Sequence, residues 1–150
     1  MSLLSNKNKA LISSCLLGIN SRYNGSNCLT KYLNVYMEKY DLIPVCPEQM
    51  GGLSTPRLKS EINKGNGFDV LEGKARVFTE NGDDITENFI NGAKEVLKIC
   101  NTLGINIAFF KEKSPSCGVS KIYNNGKICN GCGVTTALLL KNNIKVFGIE

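Results

Sequence analysis

Short apolar runs alternate with longer amphipathic stretches along this chain. Four short apolar runs predict strands. They are Ala10–Cys15, Leu42–Cys46, Ile105–Phe110 and Ile144–Ile149. Apolar residues at helical spacing predict three helices, at Cys28–Tyr40, Ile85–Leu103 and Val134–Leu140. Alternating strands and helices indicate an α/β fold, a Rossmann-like three-layer sandwich with a mostly parallel sheet.

Two small hairpin insertions are predicted outside this sheet. One pairs Phe68–Leu71 with Ala75–Thr79, and the other spans Ile122–Ile128 around an Asn-Gly turn. The longest helix has clear end signals, since Asp84 or Thr86 can cap its start and Gly104 can end it.

The length of 150 residues is typical of a single domain, predicted at 10–150 behind an N-terminal tail at 1–9. An expression scar is one interpretation of the first residues. No apolar run approaches the length of a membrane span, so we expect a cytoplasmic protein with no membrane partner. The net charge of +5 is scattered, without a basic stripe interleaved with aromatic residues, so no nucleic-acid partner is expected. Monomer and homodimer both stay open.

The chain has no histidine and seven cysteines. The absence of histidine excludes Ser-His-Asp and Cys-His catalysis and any histidine-ligated metal. An odd number of cysteines without a signal peptide argues against a disulfide framework. The composition therefore favours metal binding or thiol chemistry.

Three cysteines lie where predicted strands end. Cys15 and Cys46 end the first two strands, and Cys117 follows the strand that ends at Phe110. The carboxyl ends of parallel strands form the binding crevice of such folds, so we expect these thiols to converge. Thiolates suit a soft metal centre, and three of them on an iron–sulfur cluster would leave one iron open. The alternative is that the cysteines fill space in the core, which is the favoured interpretation for Cys28 and Cys100.

The remaining two cysteines form a Cys-Asn-Gly-Cys pair at Cys129 and Cys132. A CxxC pair occurs in redox centres and as half of a zinc site, but no second pair completes a zinc site here. A non-catalytic metal-binding or redox-sensing protein that uses this pair is therefore the alternative function.

Polar residues near the three strand-end cysteines are candidates for binding and proton transfer. Glu48, two residues after Cys46, is the candidate acid–base group. Arg22 and Arg57 can bind an anionic group or pair with Glu48 or Glu61. Ser114 and Ser116 can hydrogen-bond a substrate or a cluster sulfide, or can cap their loop.

Four segments together resemble the thiouracil desulfurase-like family of small bacterial proteins, formerly a domain of unknown function. The segments are SSCLLGINSRYNG, PVCPEQMGGLSTPR, FFKEKSPSCG and GCGVTTALL. The resemblance covers nearly the whole chain, from about residue 10 to residue 150. The pair at Cys129 and Cys132 is not part of the family pattern.

The resemblance implies a [4Fe-4S] cluster with one open iron, held by Cys15, Cys46 and Cys117. It implies catalytic roles for Glu48 and Ser114 and a small thiolated substrate, such as a thiolated nucleobase. Sulfur would be replaced by oxygen from water without net electron transfer. The alternative activity for a protein with the same cluster is sulfur transfer or tRNA thiolation. A cluster with an open iron is expected to be lost from protein handled in air.

Overall fold

A computed structural model describes residues 6–150, which form a parallel four-stranded sheet, two pairs of short strands and five α-helices. The strands are β1 (Asn8–Ser13), β2 (Tyr40–Val45), β3 (Ser60–Ile62), β4 (Val77–Thr79), β5 (Ile107–Lys111), β6 (Lys121–Asn124), β7 (Lys127–Asn130) and β8 (Lys145–Ile149). The helices are α1 (Leu33–Lys39), α2 (Pro47–Met50), α3 (Gly67–Leu71), α4 (Thr86–Leu103) and α5 (Val134–Lys141). A short 3₁₀ helix, Ser14–Leu17, follows β1.

The central sheet has the order β2-β1-β5-β8, and all neighbouring strands are parallel. Side chains alternate across it: Leu11 faces a core that includes Val96 of α4 and Leu139 of α5. Ile12 faces the opposite core, where Leu16 and Leu33 pack. Helical segments therefore cover both faces, which confirms the predicted Rossmann-like sandwich.

Two pairs of short strands lie outside the central sheet. The pairing of β6 with β7 confirms the second predicted hairpin, extended to Asn130. The first predicted hairpin is wrong, because Phe68–Leu71 belongs to α3 and β4 pairs with β3 instead. The cause is the capping box of α3: Asn66 accepts a hydrogen bond from the backbone N–H of Phe68, and Asp69 accepts one from Asn66.

The predicted helix Cys28–Tyr40 is wrong over its first half, since α1 begins only at Leu33. The backbone N–H of Cys28 donates to the carbonyl of Cys15, and that of Thr30 donates to the carbonyl of Leu16. These contacts hold the segment against the 3₁₀ helix, so these two N–H groups are not available to a helical turn.

The chain start also differs from the prediction. β1 begins at Asn8, inside the stretch predicted as a tail, and residues 1–5 lie outside the described part. Within residues 6–150, no helix is long and apolar enough to cross a membrane.

Asp84, two residues before the first residue of helix α4, holds the start of the helix by hydrogen bonds. Asp84 Oδ1 accepts hydrogen bonds from the backbone N–H and the hydroxyl of Thr86, at 2.9 and 2.6 Å. The Arg76 side chain, followed by these Thr86 hydrogen bonds, lowers the pKa of Asp84 to about 2.

Replacing Asp84 with alanine is expected to lower the free energy of unfolding by about 1 kcal/mol at pH 7, the typical value of a lost cap. The pair with Arg76 is exposed and adds little. The folded pKa is depressed, so the contribution is complete above the unfolded pKa of about 3.9 and is lost as the pH falls through about 2. Urea unfolding of the wild type and of Asp84→Ala, at pH 7 and at pH 2, measures the difference in their free energies of unfolding. Asp83→Ala is the control. An effect equally large at both pH values would contradict this explanation.

Candidate functional site

A cavity of about 380 Å³ opens at the carboxyl ends of β1, β2 and β5. The three strand-end cysteines all line it, as predicted from their positions after the strands: Cys15, Cys46 and Cys117. The other five predicted site residues also line it: Arg22, Glu48, Arg57, Ser114 and Ser116. The fold therefore brings together eight residues from segments that extend from Cys15 to Cys117 in the sequence.

Each of the three thiols is shielded from water. Cys117 is 5% exposed, and Cys15 and Cys46 are half-buried. Burial raises the pKa of all three, that of Cys15 to about 11, and the neighbouring thiols raise the pKa of Cys15 and Cys117 further. The bare thiols are therefore protonated at neutral pH, and binding a metal would release their protons.

The donor set fits an iron–sulfur cluster better than a single ion. Among residues 6–150, no three Cys, Asp or Glu side chains lie close enough together to bind one metal ion. A cluster places each cysteine on a different iron, so its ligands are spaced more widely than those of one ion. Three soft sulfur donors from three segments line one cavity, and thiolates are the ligands that such a cluster takes.

Glu48 is held by hydrogen bonds at both carboxylate oxygens. It lies in the first turn of α2, directly after the end of β2. Arg57 Nε donates to Oε1 at 3.0 Å, and Ser116 Oγ donates to Oε2 at 2.8 Å. The Arg57 and Glu48 side chains are only 8% and 12% exposed, so this ion pair is largely shielded from solvent.

The two serines form a hydrogen-bonded chain to this carboxylate. Ser114 Oγ lies 3.0 Å from Ser116 Oγ and accepts the backbone N–H groups of Ser116 and Cys117 at 3.2 and 3.0 Å. The single hydroxyl hydrogen of Ser116 points to Glu48, so Ser114 must be the donor to Ser116. The order is therefore Ser114 to Ser116 to Glu48.

The two arginines differ in their surroundings. Arg57 also donates to the carbonyl of Ser21 at 2.9 Å, and its Nη2 lies 3.9 Å from Cys46 Sγ. Arg57 therefore pairs with Glu48, which is one of the roles that the sequence left open. It also lies beside the candidate ligand Cys46. Arg22 lies at the cavity wall with its guanidinium 5.6 Å from the ring centre of Tyr23.

Some contributors to the site were not predicted. Ser13 and Ser21 are buried, and both line the cavity. Glu112 is also buried at the cavity wall, directly after β5. Two signals in the sequence could have identified these residues. Ser13 is one of the small polar residues that end the first apolar run, and Glu112 is a glutamate directly after a buried strand.

The remaining cysteines lie away from the cavity lining. Cys100, a residue of α4, is 2% exposed in the core, and Cys28 packs against the core on the other face. Cys132 is buried, and Cys129 packs against the cluster around Val134. Neither member of the CxxC pair lines the cavity that holds the other chemistry.

The profile of the 2-thiouracil desulfurase family matches residues 10–150. The chain belongs to this family. An uncharacterised protein of Bacillus subtilis (strain 168), YbbK, is 42% identical over 139 residues, covering 91% of this chain and 92% of YbbK. Among solved structures, the [4Fe-4S]-dependent thiouracil desulfidase TudS matches with a TM-score of 0.80 and 37% identity, covering 95% of this chain and 91% of TudS.

Proposed function

We propose that this chain is an iron–sulfur-dependent desulfidase that replaces the sulfur of a thiocarbonyl small molecule with oxygen. The observation that carries the proposal is the convergence of three thiols and a hydrogen-bonded carboxylate on one cavity. Membership of the 2-thiouracil desulfurase family and the similarity to TudS support it. The substrate class is a thiolated nucleobase such as thiouracil.

Cys15, Cys46 and Cys117 would hold a [4Fe-4S] cluster. Three protein ligands leave one of the four irons without a side chain, because the described cavity wall provides no fourth cysteine. When bound, such a cluster supplies a Lewis acid that accepts the substrate sulfur.

Glu48 is the proposed proton acceptor for the attacking water. The reaction converts C=S and H₂O into C=O and H₂S, so the water must lose both protons in the course of one turnover. A carboxylate oxygen at the cavity wall can take the first proton as the water oxygen bonds to the carbon. Arg57 and Ser116 fix the direction of the carboxylate, which reduces the rearrangement needed for that transfer.

The serines and Arg22 are assigned to the substrate side of the cavity. When the Ser114 hydroxyl rotates away from Ser116, it can donate its hydrogen to a developing charge on the substrate, while two backbone N–H groups hold its oxygen. We assign Ser116, Arg57 and Arg22 to substrate binding. Arg57 and Ser116 act on the substrate through Glu48, whose carboxylate they both hold by hydrogen bonds. Arg22 would contact the substrate directly from the cavity wall.

The test is the stoichiometry of the reaction with 2-thiouracil. Protein loaded with iron and sulfide under anaerobic conditions is incubated with substrate and without any oxidant or reductant. We expect hydrosulfide and uracil in equal amounts over many turnovers. A stoichiometric cluster without hydrosulfide release from any thiouracil would overturn the proposal. Cys129→Ser is expected to release hydrosulfide at the wild-type rate, whereas a protein that works through the CxxC pair would not.

A further inference from the structure

Glu112 is a buried carboxylate to which the preceding sections give no role. It directly follows β5 and is 7% exposed. Oε1 accepts the backbone N–H groups of Val119 at 2.8 Å and Ser120 at 3.0 Å, with Lys121 at 3.3 Å. Oε2 accepts the Ser120 hydroxyl at 2.6 Å. Donors from three consecutive residues therefore converge on one side chain.

These hydrogen bonds close the base of the loop at residues 113–121, which we call the cysteine loop. The backbone N–H of Lys113 also donates to the carbonyl of Lys121, at 3.0 Å, so the two ends of the loop lie side by side. The carboxylate lies directly against the backbone of Gly148 in β8, where a Cβ would lie 2.1 Å from Oε2, so glycine leaves the space that it occupies. The side chain is fixed in place as well as fully paired.

The cysteine loop carries three of the candidate site residues: Ser114, Ser116 and Cys117. Its far side is held by the start of α5, where the backbone N–H of Thr135 donates to the carbonyl of Ser116 and Thr136 Oγ1 donates to that of Cys117. Gly133 is so close to Ser116 that a Cβ would lie 2.4 Å from its carbonyl carbon. The loop is thus clamped between α5 and Glu112.

A negative charge on Glu112 suits its role of holding the base of the cysteine loop closed. Burial alone would raise its pKa, but the Ser120 hydroxyl and the N–H groups of residues 119–121 together lower it below the usual range. An ionised carboxylate is an acceptor at every lone pair, whereas an amide of the same shape would present two N–H donors to Ser120. The N–H groups of residues 119–121 would then lose an acceptor and face added donors, which favours opening of the loop.

We propose that Glu112 is a positioning residue: its carboxylate holds the cysteine loop in its folded conformation and so fixes the positions of Cys117 and Ser116. The inference that this matters for catalysis rests on the proposed function, since Cys117 is an assigned ligand and Ser116 holds Glu48. The placement itself is a property of the protein without a cluster.

The first experiment measures alkylation of the reduced, cluster-free chain. Iodoacetamide labelling is followed by peptide mass spectrometry, and the rate at Cys117 is compared with the rate at Cys100 in the same molecule. In Glu112→Gln we expect labelling of Cys117 to be about 10-fold faster, because local opening exposes it, and labelling of Cys100 to be unchanged. Asp69→Asn is the matched control, since Asp69 also accepts a backbone N–H, that of Asn66, in a different segment.

A purely structural role predicts a different pattern. Both variants would then lose stability, and neither would change the Cys117-to-Cys100 labelling ratio, which would overturn the proposal. If Glu112→Gln does not fold, Ser120→Ala removes only the 2.6 Å hydroxyl hydrogen bond. That variant is expected to raise the ratio about 3-fold, and an unchanged ratio would equally overturn the proposal.

A second readout connects the loop to the proposed cluster. In protein loaded with iron and sulfide, a chelator is expected to remove iron about 10-fold faster from Glu112→Gln than from wild type or Asp69→Asn. Equal rates would refute the catalytic part of the inference. A wild-type chain that takes up no cluster would refute the proposed function, and the labelling ratio would still decide the role of Glu112.

Discussion

Replacing Cys46 with serine is expected to abolish stoichiometric binding of iron and sulfide. The proposed site has three sulfur donors and no histidine in the sequence to substitute for one of them. Serine offers a harder oxygen donor whose hydroxyl does not ionise at neutral pH, so two thiolates would remain. After anaerobic reconstitution we expect about four irons and four sulfides per wild-type chain and less than about one of each in the variant.

Cys129→Ser is the matched control for this loss. The residue is a half-buried cysteine like Cys46, but it does not line the cavity. Its replacement is expected to leave the iron and sulfide content at the wild-type level. Full iron content in Cys46→Ser, or loss of iron in Cys129→Ser, would show that the metal site does not lie at the strand ends.

Replacing Glu48 with glutamine is expected to lower the turnover of thiouracil by about 10³-fold, within the usual range for loss of a general base. The amide keeps the shape of the side chain, and its oxygen can still accept one hydrogen bond from Arg57 or Ser116. It cannot take a proton from water at neutral pH. Because Glu48 is not an assigned ligand, iron and sulfide contents are expected to match the wild type.

The measurement is hydrosulfide release at saturating and at limiting thiouracil, together with the iron content of each sample. Glu95→Gln makes the same substitution on the exposed face of α4, where the carboxylate pairs only with Lys98 in the described structure, and serves as control. Turnover by Glu48→Gln within about 3-fold of wild type would exclude the residue as the base. Loss of its iron would instead assign Glu48 to cluster retention.

The sheet was predictable because local signals and tertiary structure agree there. Leu11 and Ile12 belong to a short apolar run, and both are fully buried on opposite faces of the sheet. The segment that starts at Cys28 was mispredicted because its apolar spacing suits a helix, while Cys28 and Thr30 donate their backbone N–H groups to the 3₁₀ helix instead. A contact to a separate element leaves no trace in local periodicity.

The place of the candidate site was predictable, and its internal pairing was not. Cys15 and Cys46 lie just after the ends of β1 and β2, at one edge of a parallel sheet, and this placement follows from topology alone. The sequence left open whether Arg57 pairs with Glu48 or Glu61, because nothing local determines where Arg57 points. Glu112 was missed because its partners come from the turn at residues 119–121, whose conformation is set by the clamp on both sides of the loop.

The central claim is that water supplies the oxygen that replaces sulfur, and isotope labelling tests it most directly. Cluster-loaded protein is incubated with 2-thiouracil in ¹⁸O-labelled water under anaerobic conditions, and the product is analysed by mass spectrometry. We predict uracil that carries one labelled oxygen at the former thiocarbonyl carbon, with one hydrosulfide released per uracil and no electron acceptor consumed. Product formed without the label, or only when an oxidant or reductant is added, would contradict hydrolytic desulfidation.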